Sequence, residues 1–164
     1  VARGLMEGHD MVGNPLAGKP PCFCLGAVVN PGSDPIEPQI LKMEKKIRAG
    51  AEFFQTQAVY DIRSFERFRK LTQGFKTKIL AGIVLLKSAG MARYMNKNVA
   101  GVYVPDELIR EMEAIKDKDA RLEKSVEIAA RLIRELRPMC DGIHIMPLGW
   151  DHLVPKVLQA SGLC

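Results

Sequence analysis

KKIRAGAEFFQTQAVYD, residues 45–61, holds the end of one helix, a turn, a strand and the cap of the next helix. Lys45, Lys46 and Arg48 surround Ile47, which continues an apolar stripe from Ile40 and Met43 at spacings of three and four. Gly50 closes that helix, because a residue free to take a left-handed conformation ends one cleanly. AEFFQTQAV (51–59) then has the apolar run of a buried strand. Asp61 follows as a carboxylate N-cap. The helix it opens carries Ile62, Phe65, Phe68 and Leu71 on one face and stops at Gly74.

Reading upstream, Asp34-Pro35 marks the start of the first helix, a capping carboxylate followed by proline in the first turn. Before it, CFCLGAVVN (22–30) is a strand emerging from a Gly- and Pro-rich entry at 13–21. Downstream, KILAGIVLL (78–86) is the third strand, with a helix over 88–96 and a shorter one over 106–113 after Pro105. Leu122, Val126, Ala129, Ile133 and Leu136 mark the clearest helical stripe, over 120–136. Asp141-Gly142 leads into GIHIM (142–146), and a last helix spans 151–160.

Strand and helix therefore alternate four times, with an extra helical pair before the fourth strand. That order implies parallel pairing and right-handed crossovers. Four such units are half of a TIM-type (βα)8 barrel, and they could also form a small open doubly wound sheet. No Gly-x-Gly-x-x-Gly turn follows a strand, which disfavours a dinucleotide fold of the Rossmann type. Both remaining architectures bind ligands at the C-terminal ends of the strands. Attention therefore falls on Asn30, Thr56-Gln57, the residues after Leu85, and residues 146–150.

The length of 164 residues suits one domain, over 1–164. No apolar run approaches the roughly 18 residues that span a bilayer. The opening VARGLMEGHD has neither an initiator Met nor a signal pattern, so further residues are expected upstream. A net charge of +5 suits a phosphate-bearing ligand. Nucleic acid is the weaker partner, since no basic run is interleaved with aromatics. Cys22 and Cys24, two apart in the expected strand, would point to opposite faces and share no ion. With Cys140 and Cys164 they read as reduced thiols of a cytoplasmic protein, with no metal.

The 45–61 stretch resembles the methylenetetrahydrofolate reductase family, with its Lys-rich helix, Ala-Gly-Ala turn and Thr-Gln strand end followed by aromatics and Asp. LGAVVNPG (25–32), ILAGIVLL (79–86), NVAGVYVPDELI (98–109) and DGIHIMPLGW (141–150) fall in the family's order and spacing. The resemblance covers nearly the whole chain, as the C-terminal half of the family's barrel. It implies FAD, with a hydride passing from NADH, NADPH or an electron-donating partner protein through the flavin to 5,10-methylenetetrahydrofolate. The product is 5-methyltetrahydrofolate.

The same resemblance assigns residues. Gln57 matches the substrate-contacting glutamine, a neutral amide offering donors and an acceptor to a pterin edge. Lys46, Lys45 and Lys42 match positions where the family's helix meets the cofactor's phosphates and ribose, Asn30 falls where relatives often carry His near the flavin, and Gln39 lies near another cofactor position. Without the resemblance, Gln57 is a polar residue at a rim and the lysines are a solvated helix face. The family's acidic catalytic residues lie on strands before this chain begins, so no catalytic residue is assigned within it. Its arginine after the last strand is replaced at Gly149-Trp150, and its aromatic after the third strand here falls at Tyr94 or Met95. His144, mid-strand, reads as structural. A half-barrel leaves two open strand edges, so an N-terminal half-barrel, another subunit or self-association in an oligomer is expected to complete it. Two alternatives are a non-catalytic scaffold derived from such a barrel, and a flavin-free barrel enzyme acting on a pterin or phosphorylated substrate.

Overall fold

A computed structural model describes residues 1–163; Cys164, one of the expected thiols, lies outside the described residues. Four strands, β1 (Gly26–Val29), β2 (Phe53–Ala58), β3 (Lys78–Val84) and β4 (Gly142–Met146), form one parallel sheet in the order β1-β2-β3-β4. The helices are α1 (Ala2–Met6), α2 (Glu37–Arg48), α3 (Ile62–Thr72), α4 (Ala89–Asn98), α5 (Asp106–Glu113), α6 (Lys118–Leu136) and α7 (Val154–Ser161). The expected α/β alternation with parallel pairing is present. The sheet is open among the described residues, with β1 and β4 as its edges.

The two faces of the sheet differ because only one is covered. Phe54 on β2 and Ile79, Ala81 and Ile83 on β3 alternate toward the helices and are buried. Phe65 and Phe68 of α3 and Ile128, Leu132 and Ile133 of α6 are buried in the same core. Burying such side chains stabilises the fold by about 1.5–3 kcal/mol each. Register puts Val28, Gln55 and Leu80 side by side on the other face, where Val28 is 66% exposed.

Several boundaries depart from expectation. Helix α2 starts at Glu37, with Pro38 rather than Pro35 in its first turn, so Asp34-Pro35 belongs to the preceding turn. Strand β1 begins at Gly26 because an edge strand pairs only where its single neighbour reaches, and that ladder opens at Gly26–Phe53. Cys22 and Cys24 are thus exposed ahead of the strand, not on its two faces. On α3, Leu71 is exposed and Thr72 is buried instead, its hydroxyl donating to the Phe68 carbonyl at 3.0 Å. Residues 151–153 form a 3-10 turn before α7. Asp61 and Ser88 cap α3 and α4 through their side chains, accepting from the Arg63 and Met91 N–H groups.

Candidate functional site

The C-terminal rim is shaped by an irregularity in β2. Between Gln55 and Ala58 the register against β3 shifts, so the strand bulges at Thr56-Gln57. The buried Thr56 hydroxyl repairs the ladder, accepting from the Gly82 N–H at 2.9 Å and donating to the Gln57 carbonyl at 2.7 Å. Gln57 itself is exposed at the rim, and its side-chain amide makes no hydrogen bond among the described residues. Only glycine fits opposite: a Cβ at Gly82 would stand 2.5 Å from the Thr56 carbonyl oxygen. Tyr60, beyond the bulge, donates from its buried hydroxyl to the Val84 carbonyl at 2.9 Å, and burial pushes its phenol well above the ordinary value.

The lysines fall on one side of α2 at about 100° per residue, together with Gln39. Lys42 and Lys45 are exposed, while Lys46 and Gln39 are half-buried beside the core stripe. The Lys46 Nζ donates to the Val28 carbonyl of β1 at 2.6 Å. The lysine face is therefore anchored beside the open edge of the sheet.

Asn30, at the end of β1, is spent on backbone. Its Nδ2 donates to the Ala100 carbonyl at 2.8 Å and its Oδ1 accepts from the Gly32 N–H at 3.2 Å. This ties β1 to the loop after α4, where Gly101 has φ +73° and no room for a Cβ against Asn30. Beneath that loop a cavity of about 40 Å³ is lined by Gly32, Tyr60, Asp61, Ser64 and Tyr103 among others. It has room for water but not for a pterin or an isoalloxazine ring.

At the other end of the rim the structure reveals residues that carried no role in the sequence. Lys87, just past β3, crosses to the loop after β4, where its ammonium donates to the Leu148 carbonyl and sits 5.0 Å from the centre of the Trp150 ring. The only sequence signal for Lys87 was its place after Leu85. Of the two positions at which the family's aromatic falls, Tyr94 is exposed and Met95 is buried. His144 is half-buried on the row with Gly82, and its Nδ1 is buried without a hydrogen-bond partner among the described residues. Gln57, Asn30 and Lys87 thus share the C-terminal rim, Lys46 reaches the open edge of β1 at Val28, and Lys42 and Lys45 face solvent on α2.

Residues 10–162 match the family profile described as methylenetetrahydrofolate reductase. Methylenetetrahydrofolate reductase 2 of Schizosaccharomyces pombe is 24% identical over 162 residues, covering 86% of this chain and 25% of that protein. Methylenetetrahydrofolate reductase 1 of the same yeast is 25% identical over 151 residues, covering 86% and 24%. The chain spans about a quarter of the length of these curated relatives. Among solved structures, an uncharacterized protein from Clostridium thermocellum that binds two copies of 5-methyl-5,6,7,8-tetrahydrofolic acid superposes with a TM-score of 0.56 at 19% identity. The match covers 86% of this chain and 53% of that one, and it supports the fold.

Proposed function

The chain belongs to the methylenetetrahydrofolate reductase family, and from that premise we propose that it forms part of a flavin-dependent reductase of 5,10-methylenetetrahydrofolate. The observation that carries this reading is the bulge at Thr56-Gln57, which puts the exposed Gln57 amide, unpaired among the described residues, at the end of a parallel sheet where such folds bind ligands. Gln57 holds the pterin by its hydrogen-bonding edge, adding no charge beside the iminium carbon that is to accept hydride. Lys46, Lys45 and Lys42 fit the cofactor's phosphates by charge, and Gln39 beside them fits a ribose hydroxyl. Asn30 acts on the flavin side by holding the loop at Ala100. FAD, when bound, supplies the hydride relay between the reduced nicotinamide, or a donor protein, and the folate.

In this reading the four strands are the last four of an eight-stranded barrel and residues 1–164 are one domain within it. The upstream strands supply the acidic catalytic groups, and the assembled protein works as an oligomer in the cytoplasm. The open edges of β1 and β4 support that completion, since unpaired parallel edges are otherwise exposed. No helix among the described residues is long and apolar enough to cross a membrane.

The test is the visible absorption spectrum of the protein purified with the polypeptide that completes it. A flavin band that bleaches on reduction and returns with methylenetetrahydrofolate is expected. A colourless, folded preparation that takes up no added FAD would overturn the proposal.

A further inference from the structure

Cys22 and Cys24 take no part in the function proposed above, and both are exposed free thiols in the segment that leads into β1. The first fixed point after them is Leu25. Its carbonyl accepts from the Glu52 N–H at 2.7 Å, and its own N–H donates to the Glu52 Oε1 at 3.4 Å. Pro20 and Pro21 stand immediately before them, with restricted φ and no N–H to donate. Between these limits residues 22–24 lie outside every helix, turn and strand, and they make no hydrogen bond among the described residues. The span is short, exposed and held only at its two ends.

Chain geometry decides what such a pair can do. Residues two apart have Cα atoms separated by no more than about 7 Å, and a disulfide closes at about 4.4–6.8 Å. A slight bend at Phe23, itself 41% exposed, therefore brings the two sulfurs into bonding range without disturbing the core. Cys140 offers no competing partner. It precedes β4 whereas Cys22 and Cys24 precede β1, and β2 and β3 lie between. Spacings of about 4.8 Å between neighbouring strands put it well outside disulfide reach. Cys140 is also half-buried, while the other two are open to solvent.

We propose that Cys22 and Cys24 form a reversible dithiol–disulfide pair that exchanges with low-molecular-weight disulfides of the glutathione class. One cysteine thiolate attacks a sulfur of glutathione disulfide, whose S–S bond breaks and releases one glutathione thiolate. The other cysteine gives its proton to solvent and attacks the protein sulfur of the mixed disulfide. The Cys22–Cys24 bond forms and the second glutathione leaves as its thiolate. The protein is thereby oxidised by two electrons, and one glutathione disulfide is reduced to two glutathiones. Where glutathione is mostly reduced, the pair rests as two thiols. The exchange needs neither flavin nor folate.

The experiment is peptide mass analysis of the completed protein, first reduced and then equilibrated with rising ratios of oxidised to reduced glutathione before the remaining thiols are alkylated. The tryptic peptide that ends at Lys42 contains both cysteines. It is expected to lose two hydrogens in a single step while retaining no glutathione, and to regain them when reduced glutathione is restored. Cys22→Ser and Cys24→Ser leave the packing intact, because both positions are exposed. Each variant should instead keep one glutathione on its remaining thiol, since the second attack is missing. Glutathione on both cysteines of the unaltered protein would overturn the pairing. So would a bond from either one to a different cysteine, or thiols that stay free across the whole range of ratios.

Discussion

The Thr56 hydroxyl substitutes for a backbone group, and removing it would leave the buried Gly82 N–H and the Gln57 carbonyl each short of a partner. Thr56→Val is therefore expected to cost about 1–3 kcal/mol in chemical denaturation, with Thr56→Ser recovering most of it. Asp141 shows a second residue-scale effect. Partial burial raises its carboxyl, but the Ile79 N–H and Lys78 Nζ, both at 2.9 Å, outweigh that and hold it below its ordinary value. A depressed carboxylate stabilises the fold above the unfolded pKa of about 3.9, and loses that contribution as pH falls through the folded value. Asp141→Asn should accordingly lower Tm at neutral pH, by no more than about 1 kcal/mol in stability given its exposure. The difference from the unaltered protein should begin to shrink as pH falls below the unfolded value of about 3.9 and vanish only below the folded one, and a gap that stayed constant through that fall would refute the linkage. Cys140 differs from the exposed Cys22 and Cys24 because burial raises its thiol. Peptide-resolved alkylation should find Cys140 the slowest of the three.

Strand β3 is the element on which the site depends, since it is paired on both sides and carries Gly82 opposite the bulge. A Cβ there meets backbone oxygens of Thr56 and Gln57 at 2.5 and 2.9 Å, which cannot rotate away as a side chain would. Gly82→Ala should destabilise by about 1–3 kcal/mol and speed amide exchange across the bulge. Gly74→Ala, where nothing lies within 4 Å, should stay within about 0.5 kcal/mol. The elements were the most legible level of the sequence. β4 and α5 fall at the expected residues, and the Asp61 cap is in place. Periodicity failed at Leu71, because whether a flank position is buried depends on the neighbouring element and not on its own helix.

For the whole molecule, the uncovered face and the two strand edges dominate. Val28 stands exposed on that face, and Lys46 satisfies a β1 carbonyl that a further strand could take. Sedimentation velocity of the chain alone should show concentration-dependent self-association that recedes when the upstream strands are supplied. A monomer with cooperative melting would count against the barrel reading.

What the sequence by itself determined is the alternation of four strands with helices, the family, and the strand ends at which Gln57 and Asn30 lie. Those follow from local periodicity, caps and motif order, which are properties of neighbouring residues. Only the tertiary structure decided that Thr56 bridges a bulge, that Asn30 is bound to a loop 70 residues away, and that Lys87 meets Trp150 across two strands. Such contacts join residues far apart in the chain. They are set by strand register and backbone geometry, as at Leu148 and Gly82, which no local pattern of side chains records.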